Sequence, residues 1–147
     1  MQSRIETQKQ YGKSFMQANK DKPGVTELPE GIQYEVIKEG TGPQPLLTDK
    51  IKAHYKGALL DGKEFDSSFK RNQPFSAPLR SLIKGWQIAI PLMKTGSHWK
   101  LWIPSDLAYG DRGSEPAIPG GATLLFEVEL LEIIEPQSNG GQSRDWR

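Results

Sequence analysis

The chain of 147 residues contains no cysteine, which excludes disulfides, a thiolate nucleophile and cysteine-based zinc or iron–sulfur sites. Long apolar runs are also missing. None approaches the roughly 18–20 residues that cross a bilayer, so we expect no membrane span. No charge sign dominates, because 19 lysines and arginines face 18 acidic residues and the net charge is +1. That balance gives no reason to expect a nucleic-acid partner.

The first twenty residues lack the apolar segment of a secretory signal peptide, and Phe15-Met16 is the longest apolar pair there. We therefore expect either a cytoplasmic protein or the mature form of an exported one. Cysteine-free proteins are stable in both redox environments, so the missing cysteine does not distinguish these alternatives.

Turn-forming residues and aromatic rings are what the chain has in quantity. It carries 15 glycines and 11 prolines, with 4 Trp, 4 Tyr and 5 Phe in a total hydrophobic fraction of 35%. This composition predicts many turns and a small core that relies on large rings.

Residues 1–22 are rich in good helix formers and contain no proline, which predicts a helix ended by Lys22-Pro23-Gly24. A narrow stripe of Tyr11, Phe15 and Ala18 follows helical spacing. Such a helix is either an arm with one edge on its own domain or a helix that binds a partner or a second copy. We expect a domain over 23–136 and, because QSNGGQSRDWR is polar and glycine-rich, a flexible tail over 137–147.

After this helix the dominant pattern is an alternation of apolar and polar residues, which predicts strands with one buried face. It covers 32–36, 51–59, 99–103 and 123–134. Asp61-Gly62 predicts a two-residue hairpin turn. Trp86, Ala89, Ile90 and Met93 form a helical stripe that Pro91 shortens or kinks. Short connections favour an antiparallel sheet, so the fold class is α+β.

Conventional catalytic motifs are missing from the sequence. His54 and His98 both fall mid-strand on the polar side of their alternations, which favours surface positions over catalytic ones. Glu127 and Glu129, on the polar face of the last strand, are expected to be solvated. We expect neither a metal site nor a cofactor.

Large apolar residues gather beside turns, and they either line a concave pocket or belong to an ordinary core. They are Tyr55, Phe65, Phe75, Leu82, Ile83, Trp86, Tyr109, Ile118 and Phe126. Asp66, Arg71 and the Tyr109 hydroxyl would supply polar contacts to such a pocket.

Eight segments in order resemble the FKBP-type peptidyl-prolyl cis-trans isomerases. The match covers roughly residues 24–135 and consists of Gly31-Ile32-Gln33-Tyr34, Gly40-Thr41-Gly42, His54-Tyr55-Lys56-Gly57, the run 61–68 (DGKEFDSS), Pro74-Phe75, Leu82-Ile83-Lys84-Gly85-Trp86, Ala108-Tyr109-Gly110 and the run 123–130 (TLLFEVEL). The leading helix followed by Pro23-Gly24-Val25 further resembles the macrophage infectivity potentiator (Mip-like) branch.

The resemblance implies a twisted antiparallel half-barrel of five or six strands around a short helix. It implies a pocket with Trp86 as its floor, walls of Tyr55, Phe65, Phe75, Leu82, Ile83, Ile118 and Phe126, and polar contacts from Asp66 and Tyr109. Arg71 matches the family arginine that pairs with this aspartate. Asp66, Tyr109 and Phe126 would act on the reacting amide, and the other residues would bind the substrate or a macrolide.

The activity implied is rotation about Xaa-Pro amides, with proline-containing polypeptides as substrates and the macrolides rapamycin and tacrolimus as ligands. A chaperone or protein-interaction module with little turnover is the alternative. Mip-like members are secreted, periplasmic or on the cell surface and contribute to infection, so export is the expectation and a cytoplasmic location the alternative. Whether the chain is a monomer or a dimer through its N-terminal helix stays open.

Overall fold

The computed structural model describes residues 3–134, so the expected tail over 137–147 lies outside them. A first helix, α1 (Arg4–Asn19), precedes a sheet of seven strands. The strands are β1 (Val25–Glu27), β2 (Gln33–Lys38), β3 (Lys50–Leu59), β4 (Glu64–Ser67), β5 (Phe75–Pro78), β6 (His98–Ile103) and β7 (Leu124–Ile134). Two short helices interrupt them, α2 (Ser68–Arg71) and α3 (Lys84–Ala89). Within residues 3–134 no helix is both long and apolar enough to cross a membrane.

Every strand pair is antiparallel, in the order β1-β2-β6-β7-β3-β4, and β5 pairs with the first half of β3. The α+β class and the antiparallel sheet are thus confirmed, with seven strands where five or six were expected. The long strand β3 is central to this topology because it pairs with β7 on one side and with both β4 and β5 on the other.

The alternation predicted for the last strand is present in β7, where Leu124, Phe126, Val128 and Leu130 are buried. Intervening residues point to the opposite, outer face, as the period of two requires. Two rows of charged and histidine side chains, called here the charged rows, cross that outer face through opposite positions on three strands. One row is His54, Glu129 and His98, and the other is Lys56, Glu127 and Lys100.

The predicted two-residue turn at Asp61-Gly62 is wrong in length. Its loop contains three residues, Leu60 to Gly62, because the Leu59 N–H donates to the Lys63 carbonyl at 2.9 Å. Gly62 has φ of 95°, a left-handed conformation that favours glycine and typically completes a three-residue hairpin loop.

The helix α3 is short, as Pro91 predicts. It ends at Ala89, and a 3₁₀ turn over Ile90–Leu92 continues the chain. Trp86, Ala89 and Ile90 are buried, so this segment packs its apolar side into the core formed by the inner face of the sheet.

The helix α1 packs on its own domain, but not through the stripe expected from its sequence. Tyr11 and Ala18 are exposed, and the buried residues are Gly12, Met16 and Asn19. Polar contacts explain the difference: the buried Gln33 amide donates to the Met16 carbonyl and accepts from the Asn19 amide, both at 2.8 Å. It also donates to Glu27 at 2.9 Å, so one side chain joins the helix to the sheet.

Replacing Gln33 with leucine should therefore weaken the attachment of α1. The change leaves the buried Asn19 amide without its partner and removes one of two bonds to the Met16 carbonyl, which costs about 2 kcal/mol of unfolding free energy. Urea unfolding measures the change. A matched control is Gln10→Leu at an exposed position of the same helix, expected within about 0.5 kcal/mol of the unsubstituted chain. Equal effects of the two substitutions would contradict the role given to Gln33.

Candidate active site

A cavity of about 150 Å³ opens on the concave side of the sheet. Its lining comes from β3, β4, β5, β7, α3, the segment just before α3 and the segment that follows β6. The residues are Tyr55, Phe65, Asp66, Phe75, Leu82, Ile83, Trp86, Tyr109 and Phe126. Nine of the eleven side chains expected at a site therefore surround one cavity, which favours the pocket over a simple core of rings.

The rings in the cavity wall hold one another through edge-to-face contacts. The ring centroid of Trp86 lies 5.5 Å from Tyr55, 6.0 Å from Phe75 and 5.3 Å from Phe126, with interplanar angles of 79° to 89°. Phe65 meets Phe126 in the same way at 5.8 Å. This arrangement suits the quadrupoles of the rings and leaves a rigid apolar surface.

Gly57 makes room for two of these rings. A Cβ at this position of β3 would lie 2.6 Å from the Phe65 ring and 2.8 Å from the Phe126 ring. Both contacts are closer than van der Waals separation permits, so any side chain here would displace part of the cavity wall.

Asp66 forms the polar side of the cavity together with two neighbours. Its carboxylate accepts hydrogen bonds from the Tyr55 hydroxyl and the Arg71 guanidinium, and from the Ser67 backbone N–H at 2.9 Å. Arg71 also donates to the Tyr55 hydroxyl at 3.3 Å. Burial raises the pKa of Asp66, but the bonds from Tyr55 and Arg71 outweigh it and hold the pKa below its usual value. The aspartate is therefore ionised at neutral pH.

Tyr109 lies at the mouth of the cavity and is 40% exposed. Burial raises the pKa of its phenol, and the charge of Asp66 raises it further, so the hydroxyl keeps its proton at neutral pH. Among the described residues this hydroxyl has no hydrogen-bond partner, which leaves it free to donate to a ligand.

Two predicted site residues do not line the cavity. Arg71 acts on it indirectly, through Asp66 and Tyr55. Ile118, expected in the wall, is not among the lining residues; it is buried in the core cluster to which Trp86 and Phe126 also belong. Two backbone hydrogen bonds with Ser114, at 2.8 and 3.0 Å, hold it at the base of its loop.

Comparison with known proteins identifies the chain. Residues 42–131 match the model of the FKBP-type peptidyl-prolyl cis-trans isomerase, and residues 1–36 match the domain amino-terminal to it. The chain belongs to the FKBP family. A peptidyl-prolyl cis-trans isomerase structure from Pseudomonas syringae pv. tomato is 40% identical with a TM-score of 0.83, covering 90% of this chain and 98% of that one.

Curated FKBP relatives include proteins of the Mip type. The peptidyl-prolyl cis-trans isomerase Mip of Coxiella burnetii is 45% identical over 82% of this chain and 53% of its own length. The outer membrane protein MIP of Legionella longbeachae is 40% identical over 88% of this chain and 56% of its own. The chain thus spans about half the length of these relatives.

A larger groove of about 440 Å³ lies between α1 and the segment that follows β6. Its lining contains Lys9, Lys13 and Lys20 but no aromatic ring. Small-molecule sites are lined mainly by apolar and aromatic side chains, so the smaller cavity is the candidate site of this FKBP domain.

Sequence reasoning did not predict the specific contacts that the two histidines of this FKBP domain make. Both are half-buried. His54 lies 2.8 Å from the Ser68 hydroxyl, and His98 lies 3.1 Å from the Glu127 carboxylate. Glu127, expected to be solvated, also pairs with Lys56 at 3.3 Å. Strand alternation predicts that these residues lie on the outer face. Their partners come from neighbouring strands and from α2, and the alternation does not specify which residues those are.

The pKa of Asp66 should rise toward its usual value in Tyr55→Phe and in Arg71→Met, because each change removes a bond to the ionised form. Carboxyl-carbon NMR titration measures it. A lowered pKa also means that the pair stabilises the fold fully above the usual aspartate pKa and loses that effect as the pH falls through the lowered value.

The matched control for this titration is Lys70→Met, which removes a neighbouring charge of α2 that pairs with Glu64 instead. It should leave the Asp66 titration close to that of the unsubstituted chain. An Asp66 titration unmoved in Tyr55→Phe and Arg71→Met would contradict the network described.

Proposed function

We propose that this FKBP domain accelerates cis–trans rotation about Xaa-Pro amides in polypeptides. The observation that carries the proposal is the ring-lined cavity with an ionised carboxylate on one side and an unpaired phenol at its mouth. We take residues 23–136 as the isomerase domain and residues 1–22 as an arm. The substrates proposed are proline-containing polypeptides during folding.

Such a site needs no nucleophile, because the reaction breaks no covalent bond. The barrier to rotation is about 18–20 kcal/mol and arises from the resonance that keeps the amide planar. The planar form is charge-separated, so water favours it more than an apolar cavity does. Taking the amide out of water lowers the barrier, and fitting the twisted amide better than the planar one lowers it further.

Each part of the cavity has a role in this proposal. The apolar rings around Trp86 receive the proline ring and exclude water from the amide. The Tyr109 hydroxyl donates a hydrogen bond to a substrate carbonyl. Asp66, fixed by Tyr55 and Arg71, stabilises the twisted amide electrostatically without exchanging a proton.

The same cavity is proposed to bind rapamycin and tacrolimus, because a macrolide that mimics the proline ring would meet the same apolar walls. We further propose an exported protein, in the periplasm, on the cell surface or secreted, with a role in infection. The support is the likeness to a relative named outer membrane protein MIP. A cytoplasmic location is the alternative, and the choice between monomer and dimer is left to measurement.

Asp66→Asn should lower kcat/KM for a short Xaa-Pro peptide about tenfold, because the charge that favours the twisted amide is lost. Tyr109→Phe should lower it about threefold through the loss of one hydrogen bond. A protease-coupled isomerisation assay measures both. These changes are cleaner than Phe126→Ala, because Phe126 is only 3% exposed and its truncation costs about 3–5 kcal/mol of stability.

The control for these activity measurements is Asp61→Asn in the exposed β3–β4 loop, which should keep the activity of the unsubstituted chain. Activity unchanged in both Asp66→Asn and Tyr109→Phe would refute the roles assigned. An unsubstituted chain that binds Xaa-Pro peptides without accelerating rotation would instead identify a chaperone or binding module.

Rapamycin should inhibit the isomerase activity and bind with a stoichiometry of about one per chain, measured by calorimetry. In this proposal the Trp86 ring forms the floor of the cavity. Trp86→Leu should therefore weaken rapamycin binding about tenfold or more, because large buried rings dominate such contacts. The substitution Trp146→Leu, outside the described residues, provides the control for loss of a tryptophan. Binding that survives Trp86→Leu undiminished would place the macrolide elsewhere.

A further inference from the structure

The fully buried hydroxyl of Ser68 connects the outer face of the sheet to the wall of the cavity. Its oxygen accepts a hydrogen bond from the Tyr55 backbone N–H at 2.7 Å and lies 2.8 Å from Nδ1 of His54. The Tyr55 carbonyl oxygen is 3.3 Å away. One hydroxyl thus contacts both an outward-facing histidine and the backbone of a residue whose ring lines the cavity.

This contact occurs where regular strand pairing stops. The last residues paired between β3 and β4 are Lys56 and Ser67, after which the chain turns into α2. The Ser68 side chain therefore replaces a backbone partner for Tyr55. Ser67 begins the helix in a similar way, since its hydroxyl accepts from the Lys70 N–H at 3.2 Å.

The short helix α2 makes contacts on both sides of the sheet's edge. On the outer side, the Phe69 ring stacks on His54 with centroids 4.7 Å apart and an interplanar angle of 18°. On the cavity side, Arg71 pairs with Asp66 and donates to the Tyr55 hydroxyl. The helix has four residues, so displacing Ser68 or Phe69 also displaces Arg71.

We propose that His54 is a positioning residue for the active site: its bond to Ser68 fixes α2, so that Arg71 and Asp66 stay in place beside Tyr55. This inference rests on the function proposed above for the cavity. His54 touches no substrate, and its effect passes through Ser68 and the helix. Placement of catalytic groups matters because small displacements reduce the rate steeply.

The hydrogen bond holds in either protonation state of the imidazole. Neutral His54 accepts at Nδ1 from the Ser68 hydroxyl, while the protonated ring donates from Nδ1 to the Ser68 oxygen. In the second case the serine proton turns to the Tyr55 carbonyl at 3.3 Å. The contact therefore needs an atom at the Nδ1 position, but not a particular charge.

His98 supplies a matched control within the same cluster. It lies on the other side of Phe69, with ring centroids 6.5 Å apart and an interplanar angle of 25°. Its Nε2 is bonded to Glu127 at 3.1 Å rather than to α2. The two histidines therefore share a stacking partner but differ in the bond to Ser68.

The test compares His54→Phe, His54→Asn and His98→Phe in the full chain. Phenylalanine keeps the stacking and removes the hydrogen bond, whereas asparagine places an amide atom the same number of bonds from Cα as Nδ1. We expect His54→Phe to lower kcat about five- to tenfold with KM changed less than about twofold. His54→Asn should recover most of the activity, and His98→Phe should match the unsubstituted chain.

A second readout does not depend on turnover. Displacing Arg71 removes a bond from ionised Asp66, so the pKa of Asp66 should rise in His54→Phe and stay unchanged in His54→Asn and His98→Phe. A general loss of stability would not produce this pattern. If His54→Phe does not fold, His54→Gln replaces it in the comparison. The glutamine amide lies one bond farther from Cα than Nδ1 does, so it does not occupy the position that bonds to Ser68.

The outcomes separate this inference from the proposed function. An unsubstituted chain without isomerase activity refutes the proposed function, and the Asp66 titration then judges the positioning role alone. With an active chain, equal kcat in His54→Phe and the unsubstituted chain overturns the inference. So does an equal loss in His54→Phe and His98→Phe, since only one of them bonds to α2.

Discussion

The edge-to-face contacts of Trp86 with three surrounding rings determine whether this domain has a cavity at all. A seven-stranded sheet curved around one short helix could fill its concave side completely, as ordinary cores do. Rings that meet edge to face cannot collapse onto one another without losing favourable geometry. The result is apolar surface that stays open, and Gly57 preserves it by keeping a Cβ away from Phe65 and Phe126.

The polar side of the cavity depends on the same arrangement. Asp66 is held ionised next to apolar rings because two side chains and a backbone N–H bond to it. Without them, its partial burial would raise its pKa instead. Because Arg71 comes from α2, the electrostatics of the cavity are linked to contacts on the other side of the sheet's edge.

Much of this fold was predictable from sequence period. The alternation in β3 and β7 identified the buried faces, and the stripe around Trp86 identified α3, because backbone geometry imposes these periods locally. Motif likeness brought most site residues together. The buried face of α1 was predicted wrongly, because an apolar stripe does not reveal the contacts of Gln33. This polar residue forms hydrogen bonds with three residues distant in sequence.

Two other features were not predicted because they depend on how separate elements meet. Ser68 is a small residue in a run of polar ones, and nothing local indicates that its hydroxyl would reach both His54 and the Tyr55 backbone. The loop after β3 has one residue more than predicted, because its length depends on how β3 and β4 pair. Ile118 was assigned to the wall by likeness alone, and its contact with a bound ligand stays a prediction.

The two charged rows on the outer face restrict how β3 and β7 can pair. A slip of one residue would expose the core, so the smallest slip that keeps apolar residues inside is two. In one direction that slip would set Lys56 opposite Leu125, and in the other it would set His54 opposite Leu131. Either slip moves Lys56 from its place opposite Glu127, with which it forms an ion pair at 3.3 Å. Solvent-facing charge thus helps to select one strand alignment, and with it one shape of the cavity on the opposite face.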